Sequence, residues 1–280
     1  MNKRIYKLGL YEKSMPDTLD LKEKLSVTKS SGFDFLEVSL DETDEKLARL
    51  YWPKTSRQKI TQAMLNTNTP IGSLCLSGHR KYPLGSLCTN TRSKSLDIMY
   101  RAIELAHDWG VRIVMIAGYD VYYEPTSEKT RAYFLENLIK SVDFAAKAGV
   151  MLAFETMETP FMDTAAKAMF YINEIRSPWL QLYPDLGNLT NASHLYSHCV
   201  LSDLAKAKGH LAALHLKESK PNIYREVPYG TGHVDFSNGI KTARDMGVYR
   251  FVAEFWHNDF YLAQINHAHD FLRGFLDSAF

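Results

Sequence analysis

TRSKSLDIMYRAIELAHDWGVRIVMIAGY (91–119) is the stretch whose reading decides the fold. Residues 91–109 read as an amphipathic helix, with Leu96, Met99, Ile103 and Ala106 on one face. Gly110 ends it as a C-cap. The apolar, β-branched run VRIVMIAGY (111–119) then reads as a strand buried on both faces. The same punctuation of helix end, glycine and new strand recurs in SGFDF (31–35) and AGVML (148–152), and a helical pattern fills 127–148. It marks a repeated strand–helix unit. Working outward, comparable runs are KLGLYE (7–12), FDFLEVSL (33–40), IGSLCLSG (71–78) and VMLAFETM (150–157). LQLYPDLG (180–187), LAALHLKE (211–218) and YRFVAEFW (249–256) follow. Eight runs over 280 residues leave 35 residues per unit, with no linker-like or low-complexity segment between them. The expectation is an α/β fold, a single (β/α)8 TIM barrel over residues 1–280. A doubly wound open sheet is the alternative; it wants a glycine-rich loop after its first strand, and LGLYEKSMP is not one.

Composition sets the bounds. The chain is 45% hydrophobic and 23% charged, an ordinary globular balance. A net charge of +1, from 33 basic and 32 acidic residues, argues against a general nucleic-acid-binding surface. The three cysteines, Cys75, Cys88 and Cys199, form no CxxC pair and fit a reducing compartment. The N-terminal MNKRIYKLGLYEKSMP lacks the apolar core of a signal peptide. No run approaches the ~18 apolar residues of a membrane span. A cytoplasmic protein with no membrane partner is expected.

Four residues stand at or just after the ends of late strand runs: Glu155 in MLAFE, Asp185 in LQLYPD, His215 in LAALH and Glu254 in FVAE. They are spaced by 30, 30 and 39 residues, about one repeat per step. In a closed barrel all four point into one mouth at the C-terminal face, where barrel active sites lie. Three carboxylates and one imidazole make an oxygen-rich site for one divalent metal ion, Zn, Mn or Mg.

The strings LGLYEKSMP, GFDFLEVSLDETDEKLARLYW, LCLSGHRKYPLGS, AGYDVYYE, QLYPDLGNL, HLKESKPNIYREVPYGTGHVDF and FVAEFW carry a resemblance along nearly the whole chain. It resembles the xylose isomerase-like barrel superfamily, and within it the L-ribulose-5-phosphate 3-epimerases of L-ascorbate degradation, also labelled hexulose-6-phosphate isomerases. The family's metal ligands fall on Glu155, Asp185, His215 and Glu254. The resemblance implies metal-dependent 3-epimerisation of a ketopentose phosphate, L-xylulose 5-phosphate to L-ribulose 5-phosphate, through a cis-enediolate. By the same analogy Glu155 and Glu254 are the acid and base as well as ligands, and the protein is a homodimer.

Further residues are candidates for the substrate. Glu158 resembles a family acid that hydrogen-bonds the sugar; the bland alternative is an acidic loop residue. Asn188 stands where epimerases of free ketoses carry a histidine. Lys217 and Lys220 follow the ligand His215, and epimerases of free ketoses carry an arginine near Lys220. A phosphate needs cations or free backbone N–H groups. His79 and Arg80 in SGHRK (77–81) supply the first, and the glycines of PYGTG (228–232) leave room for the second. His194 and His198, four apart, read as a surface helix pair, and His257 could approach the mouth. Tyr11, Tyr119 and Trp256 are candidate pocket walls. An aldose–ketose isomerase would use the same metal and carboxylates. An endonuclease IV-type site needs more His and Asp ligands than stand here, and a non-catalytic sugar-phosphate-binding protein would tolerate loss of a ligand.

Overall fold

The computed structural model describes residues 4–280; the first three residues of the expected domain and of the N-terminal stretch lie outside the described residues. All eight expected strands form: β1 Lys7–Tyr11, β2 Phe35–Leu40, β3 Ile71–Leu76, β4 Ile113–Ala117, β5 Met151–Glu155, β6 Leu180–Leu182, β7 Leu214–Leu216 and β8 Arg250–Ala253. The helices are α1 Leu21–Ser30, α2 Asp44–Ala48, α3 Lys54–Thr67, α4 Thr89–Trp109 and α5 Glu128–Ala148. They continue with α6 Ala165–Ile175, α7 Leu186–Tyr196, α8 Val200–Ala205, α9 Phe236–Asp245 and α10 Tyr261–Ala279.

Each strand is parallel to its neighbours, in the order β6-β5-β4-β3-β2-β1-β8-β7. The remaining seam closes by bridges Leu182↔Leu211 and Asp185↔His215. Backbone bonds from Leu182 N to His210 O, Ala212 N to Leu182 O and His215 N to Pro184 O stitch it, at 2.8, 2.8 and 2.9 Å. Closure removes the sheet edges and excludes the open doubly wound sheet.

The glycine punctuation works as expected. Gly32, Gly110 and Gly149 take φ of +80°, +69° and +66°, a region costly for residues with a Cβ. Gly110 and Gly149 are the caps of α4 and α5. Strand alternation then sorts the core into two layers. Leu36, Val38, Leu74, Val114, Leu152, Phe154 and Phe251 point outward and pack under the helices. Phe35, Ile113, Met115, Ala153, Tyr183, Ala213 and Val252 fill the barrel interior. Phe35 plugs its lower end. Gly9 and Gly72 leave room for that ring, since a Cβ on either would lie 2.3 or 2.2 Å from its atoms.

Candidate active site

Alternation along the strands also builds the site. Ala153, Tyr183, Ala213 and Val252 face the interior, so the residues two further on, Glu155, Asp185, His215 and Glu254, face the same way at the upper rim. All four are buried, and one ligand atom from each lies within 4.8 Å of the others. His215 Nδ1 lies 2.9 Å from Glu254 Oε2 and 3.6 Å from Glu155 Oε1. Asp185 also caps α7, because the Asn188 N–H donates to its Oδ1 at 2.5 Å. Its Oδ2 is buried with no partner among the described residues. A buried carboxylate oxygen left open, beside two more carboxylates and an imidazole, suits a hard divalent cation.

Two further residues belong to the cluster. Glu37 is fully buried on β2, and its Oε1 lies 2.6 Å from His215 Nε2. Its Oε2 accepts from Ser73 Oγ at 2.6 Å and Tyr183 OH at 3.0 Å. As acceptor, the Glu37 carboxylate fixes one imidazole proton on Nε2, so Nδ1, which faces Glu155 and Glu254, is the nitrogen open to a cation in place of a second proton. Lys217 faces inward two residues after His215, its Nζ 3.4 Å from Asp185 and 3.6 Å from Glu254.

Electrostatics follow from four carboxylates crowded around one imidazole and one ammonium. Burial, then the Glu254 charge, push the Glu155 carboxyl up. Burial lifts Asp185 well above the usual range despite Lys217 beside it. Burial also opposes the charge on Glu254, but Lys217 and His215 outweigh it and hold that carboxyl well below the ordinary range. For His215 burial is outweighed by Glu37 and Glu254, which hold the imidazolium well above its usual value. The Lys217 ammonium is likewise held up, against burial, by Asp185 and Glu254. Four carboxyl groups thus share one imidazole and one ammonium, and beyond burial the upward push on Asp185 and Glu155 reflects negative charge that lacks enough positive partners. A cation fits that deficit.

Around the cluster is a small cavity of about 60 Å³, whose walls include Tyr11, Glu158, Asn188, Lys217, Arg225 and Trp256. Arg80 lines it too, stacked on the Tyr122 ring at 4.7 Å. A larger groove of about 570 Å³ lies outside the barrel between α5 and α6 and holds none of the cluster residues. Asn188 faces the cavity and anchors through Nδ2 to Thr156 O at 2.7 Å.

Several candidates stand elsewhere. His79 is buried, its Nε2 3.2 Å from Ser95 O, and does not line the cavity; burial pulls its pKa down to about 4. A group that is neutral and turned away from the mouth cannot serve as a phosphate cation. Lys220 is exposed and outside the cavity, because the chain turns back there and its backbone pairs with Ile223. The glycine loop is spent internally: Gly230 N–H donates to Glu218 Oε2 at 3.1 Å. Tyr119 is buried and donates to Ser77 O at 3.3 Å. His257 turns to Lys13 O at 3.2 Å, and His194 stacks on His233 at 4.9 Å. Glu37 and Arg225 are the members the sequence reading passed over. Glu37 carried a signal, since a lone acid inside the apolar run FDFLEVSL must be paired to be buried.

Comparison with known proteins agrees with the fold. A family model described as xylose isomerase-like TIM barrel matches residues 25–275. L-ribulose-5-phosphate 3-epimerase UlaE of Salmonella paratyphi A is 42% identical over 240 residues, 86% of this chain and 83% of that protein. Its namesake from Shigella boydii serotype 18 matches equally, at 42% over 240 residues. Among solved structures, an L-ribulose 3-epimerase superposes with TM-score 0.77 at 19% identity, covering 98% of this chain and 95% of that one. The 3-keto-D-glucoside 4-epimerase YcjR from E. coli does so with TM-score 0.77 at 17% identity, covering 96% and 99%. At those identities the two structures speak for the fold. With the family model spanning most of the chain and the epimerase relatives aligned over 86% of it, this isomerase belongs to the xylose isomerase-like TIM barrel family, among relatives of L-ribulose-5-phosphate 3-epimerases.

Proposed function

We propose that the protein is a metal-dependent ketose-phosphate 3-epimerase, interconverting L-xylulose 5-phosphate and L-ribulose 5-phosphate in cytoplasmic L-ascorbate and pentose catabolism, and acting as a homodimer. The observation that carries the reading is the convergence of Glu155, Asp185, His215 and Glu254 in one buried mouth. Relatives named L-ribulose-5-phosphate 3-epimerase supply the substrate class.

The C3–H of a 2-ketose is acidic because the neighbouring C2 carbonyl can take the charge as an enediolate. A divalent ion held by the four residues supplies electrostatic stabilisation of that charge. Inversion at C3 needs a proton removed from one face and returned on the other. Glu155 ends β5 and Glu254 follows β8. Two strands, β6 and β7, separate them around the barrel, so the carboxylates reach a substrate from different sides. Lys217 keeps a positive charge beside Glu254, and its ammonium can donate to a substrate oxygen. Glu158, Asn188 and Arg80, which line the same cavity, are the remaining substrate contacts.

Proton NMR of the reaction in D2O tests the reading. Deuterium entering at C3 supports epimerisation. Deuterium confined to C1 or C2 would establish an aldose–ketose isomerase on the same residues. Turnover undiminished in Glu155→Gln would remove Glu155 from the proton transfer.

A further inference from the structure

A second cavity, of about 540 Å³, lies at the other end of the barrel from the cluster. Its size falls within the roughly 300–1,000 Å³ of pockets that hold small molecules. It opens beneath the Phe35 plug, at the N-terminal ends of β1, β2, β3 and β8. Strand alternation aims charge into it. Gly9 and Val252 stand on the inward face of the barrel, so Lys7 and Arg250, two residues earlier, share that face at the lower rim. The two are also register partners across the β1–β8 ladder. Lys29, from the last turn of α1, joins them in the wall.

The one carboxylate in that wall is already taken. Asp34 accepts from Leu8 N–H at 2.8 Å, from Arg273 Nη2 at 2.9 Å and from Lys7 Nζ at 3.2 Å. Arg273 alone balances its charge, which leaves Lys7 in excess. The Arg250 guanidinium stands 5.0 Å from the Phe35 ring, and neither it nor Lys29 pairs with a carboxylate among the described residues. Like charges that face each other across a ladder repel. The Lys7–Arg250 pair therefore does not stabilise the barrel by itself. Asn68, in the left-handed conformation at the end of α3, brings an amide donor to the same wall. The C-terminal ends of α1 and α3 also reach the cavity, and their carbonyl dipoles oppose an anion. Side-chain cations, not backbone, have to hold one there.

We propose that this lower cavity binds the phosphate of a small phosphomonoester through Arg250, Lys7 and Lys29, separately from the catalytic mouth. A phosphate gives the Arg250 fork two oxygens and leaves a third for the lysines. The cavity is larger than a bare phosphate fills, which leaves room for the organic part of an ester. A bound anion converts three unpartnered positive charges into a network that ties β1, β8 and α1 together under the Phe35 plug.

The test is calorimetric titration of the metal-replete protein with inorganic phosphate and with glycerol 1-phosphate at low ionic strength, alongside melting curves. Arg250→Gln should weaken anion binding by roughly 10- to 100-fold and Lys29→Gln by less. Lys208→Gln, which removes an exposed charge elsewhere, should change nothing. Lys29→Gln, at an exposed helix end, keeps the test open should Arg250→Gln fold poorly. Without anion, Arg250→Gln should melt close to the wild type, because relief from Lys7 offsets the lost contact with the Phe35 ring. At about 100 times its dissociation constant the ligand should raise the wild-type melting temperature by about 5 °C, and that of the variant by clearly less. Tungstate soaked into crystals should scatter anomalously beside Lys7 and Arg250. An unchanged isotherm in both cavity variants, a melting temperature lowered equally in Arg250→Gln with and without anion, or tungstate found in the catalytic mouth alone would overturn the assignment. Tighter binding of glycerol 1-phosphate than of phosphate supports the ester, and equal binding would overturn it in favour of free phosphate.

Discussion

Replacing Glu37 by Gln tests whether the site depends on a residue that need not touch an ion. In the native protein Glu37 Oε1 lies 2.6 Å from His215 Nε2, in a barrel interior where both groups are fully buried. A hydrogen bond of this kind, with an ionised acceptor, contributes about 1.5–3 kcal/mol. The amide keeps the shape and can still accept from the imidazole, but its NH2 then faces Ser73 Oγ and Tyr183 OH, both of which now donate to the carboxylate. Turned the other way, the amide donates to Nε2 and drives the imidazole proton onto Nδ1, the nitrogen that faces Glu155 and Glu254. Either arrangement weakens His215 in its proposed role as a ligand. Partners that orient a metal-bound histidine are worth 10- to 100-fold in affinity, about 1.4–2.8 kcal/mol, which matches the hydrogen-bond range. The assay is competition for Zn or Mn between purified protein and a chelating dye, with the variant's melting curve as a control for folding. A dissociation constant within about twofold of the wild type would refute the role given to Glu37.

Three other perturbations probe the frame around the site. Glu12 is fully buried, and Lys24, Lys46 and Arg49 all bond to it at 2.6–3.0 Å; burial opposes its charge, but these cations hold the carboxyl far below its usual range. Its stabilisation is therefore complete above the unfolded pKa of about 4.3 and is lost as pH falls below that. Glu12→Gln, which strands three buried cations, should cost about 3–5 kcal/mol in denaturant unfolding at neutral pH and flatten the acid limb; an unchanged acid limb would contradict the assignment. His79 has the opposite origin: burial lowers its pKa from 6.5 to about 4. It is neutral in both states above pH 6.5, and stability falls as pH drops because only the unfolded chain takes the proton. Between pH 7.5 and 5 the wild type should lose about 2 kcal/mol more than His79→Gln in urea unfolding, and parallel losses would exclude it. Finally, Gly9→Ala or Gly72→Ala should each cost about 1–3 kcal/mol by driving a methyl into the Phe35 ring, and Phe35→Leu should restore part of the loss. A neutral Gly72→Ala would show that the plug yields.

The barrel was legible because its grammar is local. The glycines at 32, 110 and 149 and the doubly buried runs carry the repeat whatever the tertiary context. The four cluster residues were legible because each ends such a run. What escaped depends on direction. Lys217 followed from alternation, two residues after His215. Glu37 followed from it too, sharing the inward parity of Phe35 and Ser39, but only once the parity of β2 was fixed by the packed ring. His79 and Arg80 are neighbours on one tight turn, Gly78–Arg80. One enters the core and the other reaches the mouth, and composition gives no preference between them. Arg225 was hidden for a different reason: its place depends on two left-handed residues, Asn222 and Glu226, in a long loop that carries no helix or strand.

The seam between β6 and β7 has a consequence for how the protein can change. Those strands are three residues each, and Asp185 and His215 are themselves the bridge that joins their upper ends. The clasp of the barrel and half of the proposed metal-ligand set are the same pair. Any change that trades one of them for another donor must also refasten the last staves. The loops that bring Arg80, Glu158 and Arg225 to the mouth close no seam of the barrel and are freer to change. The seam thus splits the molecule into a part whose donors are tied to closure of the barrel and a part whose side chains are not.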